Sequence, residues 1–235
     1  MNKECSTVDE AIADVFDGAS IAIGGFFSAG LPLALVRGLI AKGVQNLTII
    51  GGSGPLLGSG DELDLLVATG QIRKLIDSYP FYRSASRGAE SLFEQAARSG
   101  EIEVEVYPMG TLAEKLRAAA AGIPAFYTPT GVGTVAGSGR ETRFFNGVEN
   151  IMETALQPDF AFVHAYMGDR EGNLVYRMTA MNFNPVMAAA AKVTIAEVEN
   201  LVEPHEIRPE MVRTPGIYVR RVVQVGRMKR NVTPT

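Results

Sequence analysis

Asp17-Gly-Ala-Ser-Ile-Ala-Ile-Gly-Gly-Phe-Phe-Ser-Ala-Gly-Leu-Pro32 is the stretch on which the reading of this chain turns. Ser20 to Ile23 reads as a strand that runs straight into Gly24-Gly25, where missing side chains let the backbone turn sharply and let a ligand come close. Gly30 allows a second unusual backbone conformation, and Pro32 stands where a helix can begin. Free N–H groups in such a loop, beside a helix N-terminus, suit a phosphate, a carboxylate or an oxyanion. The same residues also fit a plain strand-turn-helix connection with glycines for tight packing, and the local pattern leaves both readings open.

Working outward, short apolar runs alternate with helical patterns. This predicts an α/β fold, an open and largely parallel sheet with helices on both faces. Thr7-Val-Asp-Glu10 is a capping-box pattern that predicts a helix ending near Asp17-Gly18. Leu33 to Lys42 reads as a helix stopped by Gly43, Asn46 to Ile50 as a strand entering a glycine-rich turn from Gly51 to Gly60, and Ile72 to Ser78 as a strand. Glu101-Ile-Glu-Val-Glu-Val-Tyr107 alternates strictly, which predicts one wet face, one buried face and a place near a sheet edge. Thr111-Leu-Ala-Glu114 reads as a second capping box, with Gly122 and Pro124 closing its helix. Beyond a loop from Thr128 to Gly139, strands are predicted at Phe160–Ala165, Leu174–Tyr176, Val193–Val198 and Ile217–Val225, with a helix over Pro185–Ala191. Nothing repeats internally, so residues 1–226 read as a single domain and 227–235 as a short basic tail carrying Arg227, Lys229 and Arg230.

Composition narrows the function. The 235 residues are 46 % apolar with a net charge of −4, which supports a sizeable core and argues against nucleic acid as the main partner. Two histidines are too few for a His-based metal site, so no metal is expected. Cys5 is the only cysteine, so no internal disulfide can form and a reducing compartment is the natural home. No apolar run reaches the ~20 residues of a membrane helix, and no signal pattern opens the chain. The expectation is a cytoplasmic protein with no membrane contact.

The Asp17–Pro32 segment resembles the A-subunit signature of the 3-oxoacid CoA-transferases. That signature has Asp or Asn then Gly, two variable residues, three apolar residues, Gly-Gly-Phe, three variable residues and Gly-x-Pro. Asp17, Gly18, Ile21 to Ile23, Gly24, Gly25, Phe26, Gly30 and Pro32 meet every fixed position. The resemblance extends over nearly the whole chain through Gly110-Thr-Leu-Ala-Glu114, Gly122 to Thr134, Gly172-Asn-Leu-Val-Tyr-Arg177, Asn182-Phe-Asn-Pro185 and Thr214-Pro-Gly-Ile-Tyr218.

The resemblance implies a ping-pong transfer of CoA from an acyl-CoA donor to a carboxylic acid, through a glutamyl thioester on a B subunit. Because a carboxylate is a weak nucleophile toward a thioester, such a site must orient it and stabilise an oxyanion with fixed donors. The family's nucleophilic glutamate lies in a Ser-Glu-Asn-Gly setting that this chain lacks; Glu149-Asn150 and Glu199-Asn200 are near misses. No catalytic residue is therefore expected here, and the chain needs its B subunit in a heterodimer or heterotetramer. The implied CoA or acyl contacts are Gly24, Gly25, Phe26, Phe27, Ser28, Ala29 and Gly30, with Gly52, Ser53, Met109, Met181 and Asn182 as further lining. No permanently bound cofactor is implied, the CoA thioester being substrate.

Some positions depart from the family. Gly52-Ser53 stands where relatives commonly have Asn-Asn, Met109 where they often have Gln, and Met167 and Met181 where a basic residue is common. If these line the pocket, the acyl group is larger or more apolar than acetoacetate or succinate; otherwise methionine simply fills space. Gly131-Val-Gly-Thr-Val-Ala136 loosely matches a dinucleotide fingerprint, but no clear strand precedes it, so a site-lining or interface loop fits better. His164 reads as a satisfied strand-end histidine and His205 as an exposed loop residue. Asn182 and Asn184 could meet a substrate carboxylate or satisfy loop backbone. Two other classes share these features: a CoA-transferase-like acyl-CoA hydrolase, and a non-catalytic CoA-binding partner protein.

Overall fold

Side chains along a strand point alternately to its two faces, and in the central strands of this protein's main sheet both faces are dry. The computed structural model describes residues 2–27, 29–52, 62–81, 88 and 90–226. Ser28, Ser53, most of the Gly51–Gly60 turn and the 227–235 tail lie outside the described residues. Strands β1 (Glu4–Cys5), β2 (Ser20–Ile23), β3 (Leu47–Ile50), β4 (Ile72–Asp77), β5 (Glu103–Val106), β9 (Phe160–Asp169), β10 (Leu174–Val175), β11 (Val193–Val202) and β12 (Arg221–Gln224) form one sheet. Its order is β1-β12-β11-β9-β2-β3-β4-β5, with β10 on β9. All neighbours are parallel apart from β10, which pairs antiparallel.

Ile21, Ile23, Phe160 and Phe162 join one core with α1 (Val8–Ala11), α2 (Leu33–Lys42), α3 (Glu62–Ala68) and α4 (Leu92–Ser99). Ala22, Ala161, Val163 and Ala165 join the other with α5 (Met109–Ala120) and α6 (Asn184–Ala190). Helices therefore cover both faces, as the near-continuous apolar runs predict. No described helix is long and apolar enough to cross a membrane.

Four sequence expectations need correction. The Thr7 helix lasts one turn, because only Thr7 Oγ1 caps it, accepting from Glu10 N, while the Glu10 carboxylate turns back to Ser6 N. α5 starts at Met109 after Pro108, so Thr111 lies inside the first turn and its buried Oγ1 has no hydrogen-bond partner among the described residues. Gly216–Tyr218 is a 3-10 turn rather than the start of a strand, because its backbone is tied to Pro215 and Gly216. Strictly alternating Glu101–Tyr107 does supply the edge strand, yet Val106 is 49 % exposed.

The largest omission is a second, antiparallel sheet of β6 (Ala125–Thr128), β7 (Thr142–Phe145) and β8 (Val148–Thr154), in the order β6-β8-β7. Asn146 and Gly147, at φ 50° and 79°, make its hairpin turn. An Asn-Gly pair between β-prone runs is the strongest short hairpin signal, and it was available in Phe144-Phe145-Asn146-Gly147-Val148. This sheet is fastened to α5 by the Lys115 Nζ to Glu153 Oε2 pair at 3.0 Å, whose side chains are 4 % and 2 % exposed.

Candidate active site at the switch point of the sheet

From β2 the chain winds outward through β3, β4 and β5; from β9 it winds the other way through β11 and β12. The reversal falls between β2 and β9, and in open α/β sheets ligands bind outside the strand C-termini at such a point. The Gly24–Gly30 loop leaves β2 there. Gly24 N donates to Phe162 O at 3.0 Å, the last ladder bond before β2 departs, while β9 runs on to Asp169.

The loop is a tight hairpin. Phe26 N donates to Ala29 O and Ala29 N to Phe26 O, both at 2.8 Å, with Phe27 at φ 49° between them. Gly25 takes φ 113° and a Cβ there would come within 2.9 Å of Leu31 N. Phe26 is 40 % exposed and packs edge-on against Phe27. Among the described residues, the N–H groups of Gly25 and Gly30 enter no hydrogen bond, and both residues are buried.

Asn184 holds this loop in place. Its Nδ2 donates to Gly30 O at 3.1 Å and Ala180 O at 2.7 Å, and its Oδ1 accepts from His164 N at 3.1 Å. Of the two roles open to Asn184 in the sequence, backbone satisfaction is the one it fills, and it is 0 % exposed. Gly24 is glycine because any Cβ would overlap Asn184, and Gly30, at φ 72°, because it would overlap Ala180 O. Gly52 lies buried under the Phe183 ring, which a Cβ would also overlap. An asparagine at position 52 cannot fit this packing. Residues 178–184 thus form a strap across the ends of β2 and β3.

The α2 N-terminus is not open to a ligand anion. Glu197, 1 % exposed, already accepts from Leu35 N at 3.0 Å, and a carboxylate at that position is stabilised by the helix dipole. Its other oxygen meets His164 Nδ1 at 2.9 Å; His164 Nε2 faces Glu199 at 3.4 Å, and Glu199 meets Arg177 at 3.5 Å. Arg177 stacks on Tyr166. Sequence reasoning expected a satisfied His164 but missed Glu197; its signal was an acid inside the otherwise apolar Val193–Val198 run.

The near-miss glutamates are occupied or peripheral: Glu199 is in the His164–Arg177 chain, and Glu149 lies on β8 in the small sheet. His205 is exposed. Met109 opens α5 at the end of β5, 46 % exposed, and Met181 is 43 % exposed in the strap beside Asn182, at φ 26°. Val135 and Ala136, from the glycine-rich 131–136 segment, line a groove with Ser78 and Tyr107.

Tyr107 joins the two sheets electrostatically. Its hydroxyl donates to Glu105, and Lys115 Nζ and Arg140 Cζ sit over its ring at 4.5 and 5.5 Å. Burial and the Glu105 contact push its pKa up to about 12, against an opposing pull from Arg140. Between the unfolded phenol value near ~10 and that folded value, the native state holds the extra proton, so stability present below pH ~10 is lost as pH rises through about 12. Tyr107→Phe should flatten that alkaline fall, measured as melting temperature against pH; an unchanged slope would contradict the assignment.

A model of the family described as coenzyme A transferase matches residues 5–225. The chain belongs to the coenzyme A transferase family. It is 45 % identical over 243 residues to the A subunit of the probable succinyl-CoA:3-ketoacid coenzyme A transferase of Mycobacterium bovis, covering 96 % of this chain and 94 % of that one. It is 44 % identical to the A subunit of the 3-oxoadipate CoA-transferase of Acinetobacter baylyi, over the full length of both. Among solved structures, a variant of the decarboxylase AibA/AibB superposes with a TM-score of 0.79 at 29 % identity, covering 96 % of this chain and 84 % of that one. This member of the coenzyme A transferase family has a largely parallel sheet, and its Gly24–Gly30 loop leaves β2 where the strand order reverses.

Proposed function

We propose that this chain is the A subunit of a heteromeric CoA-transferase that moves CoA from an acyl-CoA donor to a 3-oxo or related carboxylic acid. The nucleophile is a glutamate of the B subunit, which carries CoA as a glutamyl thioester between the two half-reactions. The observation that carries this reading is the Gly24–Gly30 loop, preformed over Asn184 with the Gly25 and Gly30 N–H groups free among the described residues. Fixed donors of this kind favour charge that develops on a thioester oxygen, because they need no reorganisation when it forms. Likeness to the two curated relatives above supports the partner and the substrate class. The CoA or acyl contacts are Gly24 to Gly30, with Gly52, Ser53, Met109, Met181 and Asn182 around them. No resident cofactor is invoked, and the lone Cys5 fits a cytoplasmic setting.

The test is to co-express the chain with its B subunit, add succinyl-CoA or acetoacetyl-CoA, reduce with borohydride and map peptides by mass. A reduced glutamate on the B subunit, missing when either chain is omitted, is the expected result. CoA released to water without label would replace transfer by hydrolysis. A labelled glutamate in this chain would reverse the roles assigned to the two chains.

A further inference from the structure

Helix starts are commonly capped by the side chain of their own N-cap residue, but Pro32 stands at that position in α2 and makes no such hydrogen bond. Glu197 supplies the cap instead, from β11 and 162 positions away, with Oε2 accepting from Leu35 N at 3.0 Å. A local cap would fix only the shape of the turn. A cap from the sheet also fixes where the helix begins, and α2 begins just after the Gly24–Gly30 loop.

The second oxygen of Glu197 continues the connection. An ionised carboxylate only accepts hydrogen bonds, so His164 Nδ1 donates to it, at 2.9 Å, from its register partner position on β9. The backbone N–H of His164 donates to Asn184 Oδ1, and Asn184 Nδ2 donates to Gly30 O. His164 thus reaches the end of the loop by two routes, through its ring and Glu197 to α2, and through its N–H and Asn184 to Gly30. Glu199 extends the chain to Arg177, which directly precedes the 178–184 strap. The start of the loop is tied to the same piece of β9, since Gly24 N donates to Phe162 O.

Glu197 is 1 % exposed, and a buried carboxylate is tolerated only where its hydrogen bonds are met. Bonds to an ionised group are shorter and stronger than neutral ones, so this one residue joins helix, sheet and loop stiffly.

We propose that Glu197 and His164 are positioning residues: together they set the Gly24–Gly30 loop for the acyl group, so that losing either slows the reaction without weakening acyl-CoA binding. The proposal rests on the reading of the chain as part of a CoA-transferase whose acyl group lies at this loop. A small misplacement of fixed groups harms the transition state more than the ground state, because only the former needs the full geometry.

The assembled two-subunit complex should be mixed with succinyl-CoA or acetoacetyl-CoA, quenched with borohydride at increasing times and mapped by mass. The proteins compared are the wild type, Glu197→Ala, Glu197→Gln and His164→Ala. Glu197→Ala should lower the rate constant for labelling the B-subunit glutamate by about tenfold or more. The final labelled fraction, and the acyl-CoA concentration giving half the maximal rate, should stay within about twofold of wild type. Glu197→Gln keeps an oxygen that accepts from Leu35 N and should return to within about threefold of the wild-type rate constant. His164→Ala leaves that cap and the backbone bond to Asn184 in place, so it carries the test if Glu197→Ala fails to fold. It should slow labelling by about threefold or more. A smaller labelled fraction at the wild-type rate constant marks a merely structural role and would overturn the proposal. Hydrogen exchange of the peptide over residues 24–35 is read in parallel and should quicken in both alanine variants; unchanged exchange would overturn the proposal too. If neither thioester labels the wild type, the transferase reading falls, and the exchange comparison alone decides whether the pair sets the loop.

Discussion

Gly24→Ala should destabilise the protein by about 2–4 kcal/mol and loosen the glycine loop, although it adds one methyl group. The backbone at Gly24 needs no left-handed conformation, so the penalty is purely one of space. The new Cβ would overlap Asn184, and overpacking a fixed neighbour costs ~1–3 kcal/mol. Asn184 cannot move aside without breaking its bonds to Gly30 O, Ala180 O and His164 N, and each buried group left unsatisfied costs a further ~1–3 kcal/mol. Asn184→Ala alone should cost a similar amount by the second route only. The double variant should therefore cost about 0.5–3 kcal/mol less than the sum of the singles, the coupling expected of residues in contact. Denaturant unfolding of the four proteins measures it. Additive losses would mean that Asn184 is not what forbids a side chain at position 24.

Glu153→Ala is the second large effect. Glu153 is bound by Lys115 at 3.0 Å and Arg140 at 2.7 Å, and the side chains of Glu153 and Lys115 are almost wholly buried. Arg140 is 29 % exposed and can turn to water, but Lys115 cannot. Breaking a buried pair by removing one partner costs ~3–5 kcal/mol, because the remaining charge is stranded. At ~2–4 °C per kcal/mol for a chain of this size, the melting temperature should fall by roughly 6–20 °C. The β7–β8 hairpin should become sensitive to protease, since the pair ties β8 to α5. Replacing both partners, Lys115→Met with Glu153→Leu, should recover most of the loss, as apolar substitutes for buried pairs often do. If the double variant is as unstable as the single, the pair is not the fastening between the sheets.

These effects fall where sequence and structure part company. Ser20–Ile23 and Leu33–Lys42 were readable to the residue, because a β2 run dry on both faces and a helix closed by Gly43 are local patterns. Glu101–Tyr107 announced an edge strand for the same reason, but not the exposure of Val106, which depends on what the rest of the chain packs against that edge. The hairpin around Asn146-Gly147 does carry a local signal, an Asn-Gly pair between β-prone residues. Glu153 and Lys115 carried no signal, since an acid in a short strand and a lysine in a helix are ordinarily wet.

The chain by itself determined the α/β class, the parallel strands and the glycine loop after the first long strand, because backbone conformation and strand periodicity are set within a few residues. Its glycines marked where side chains are forbidden, but not what forbids them. Only the tertiary structure decided that Asn184 fills the space over Gly24, that Glu197 occupies the α2 N-terminus, and that Lys115 and Glu153 join the two sheets. Each of these pairs residues dozens to more than a hundred and fifty positions apart. Such contacts follow from strand order, and strand order is set by how the faces of the whole sheet are covered.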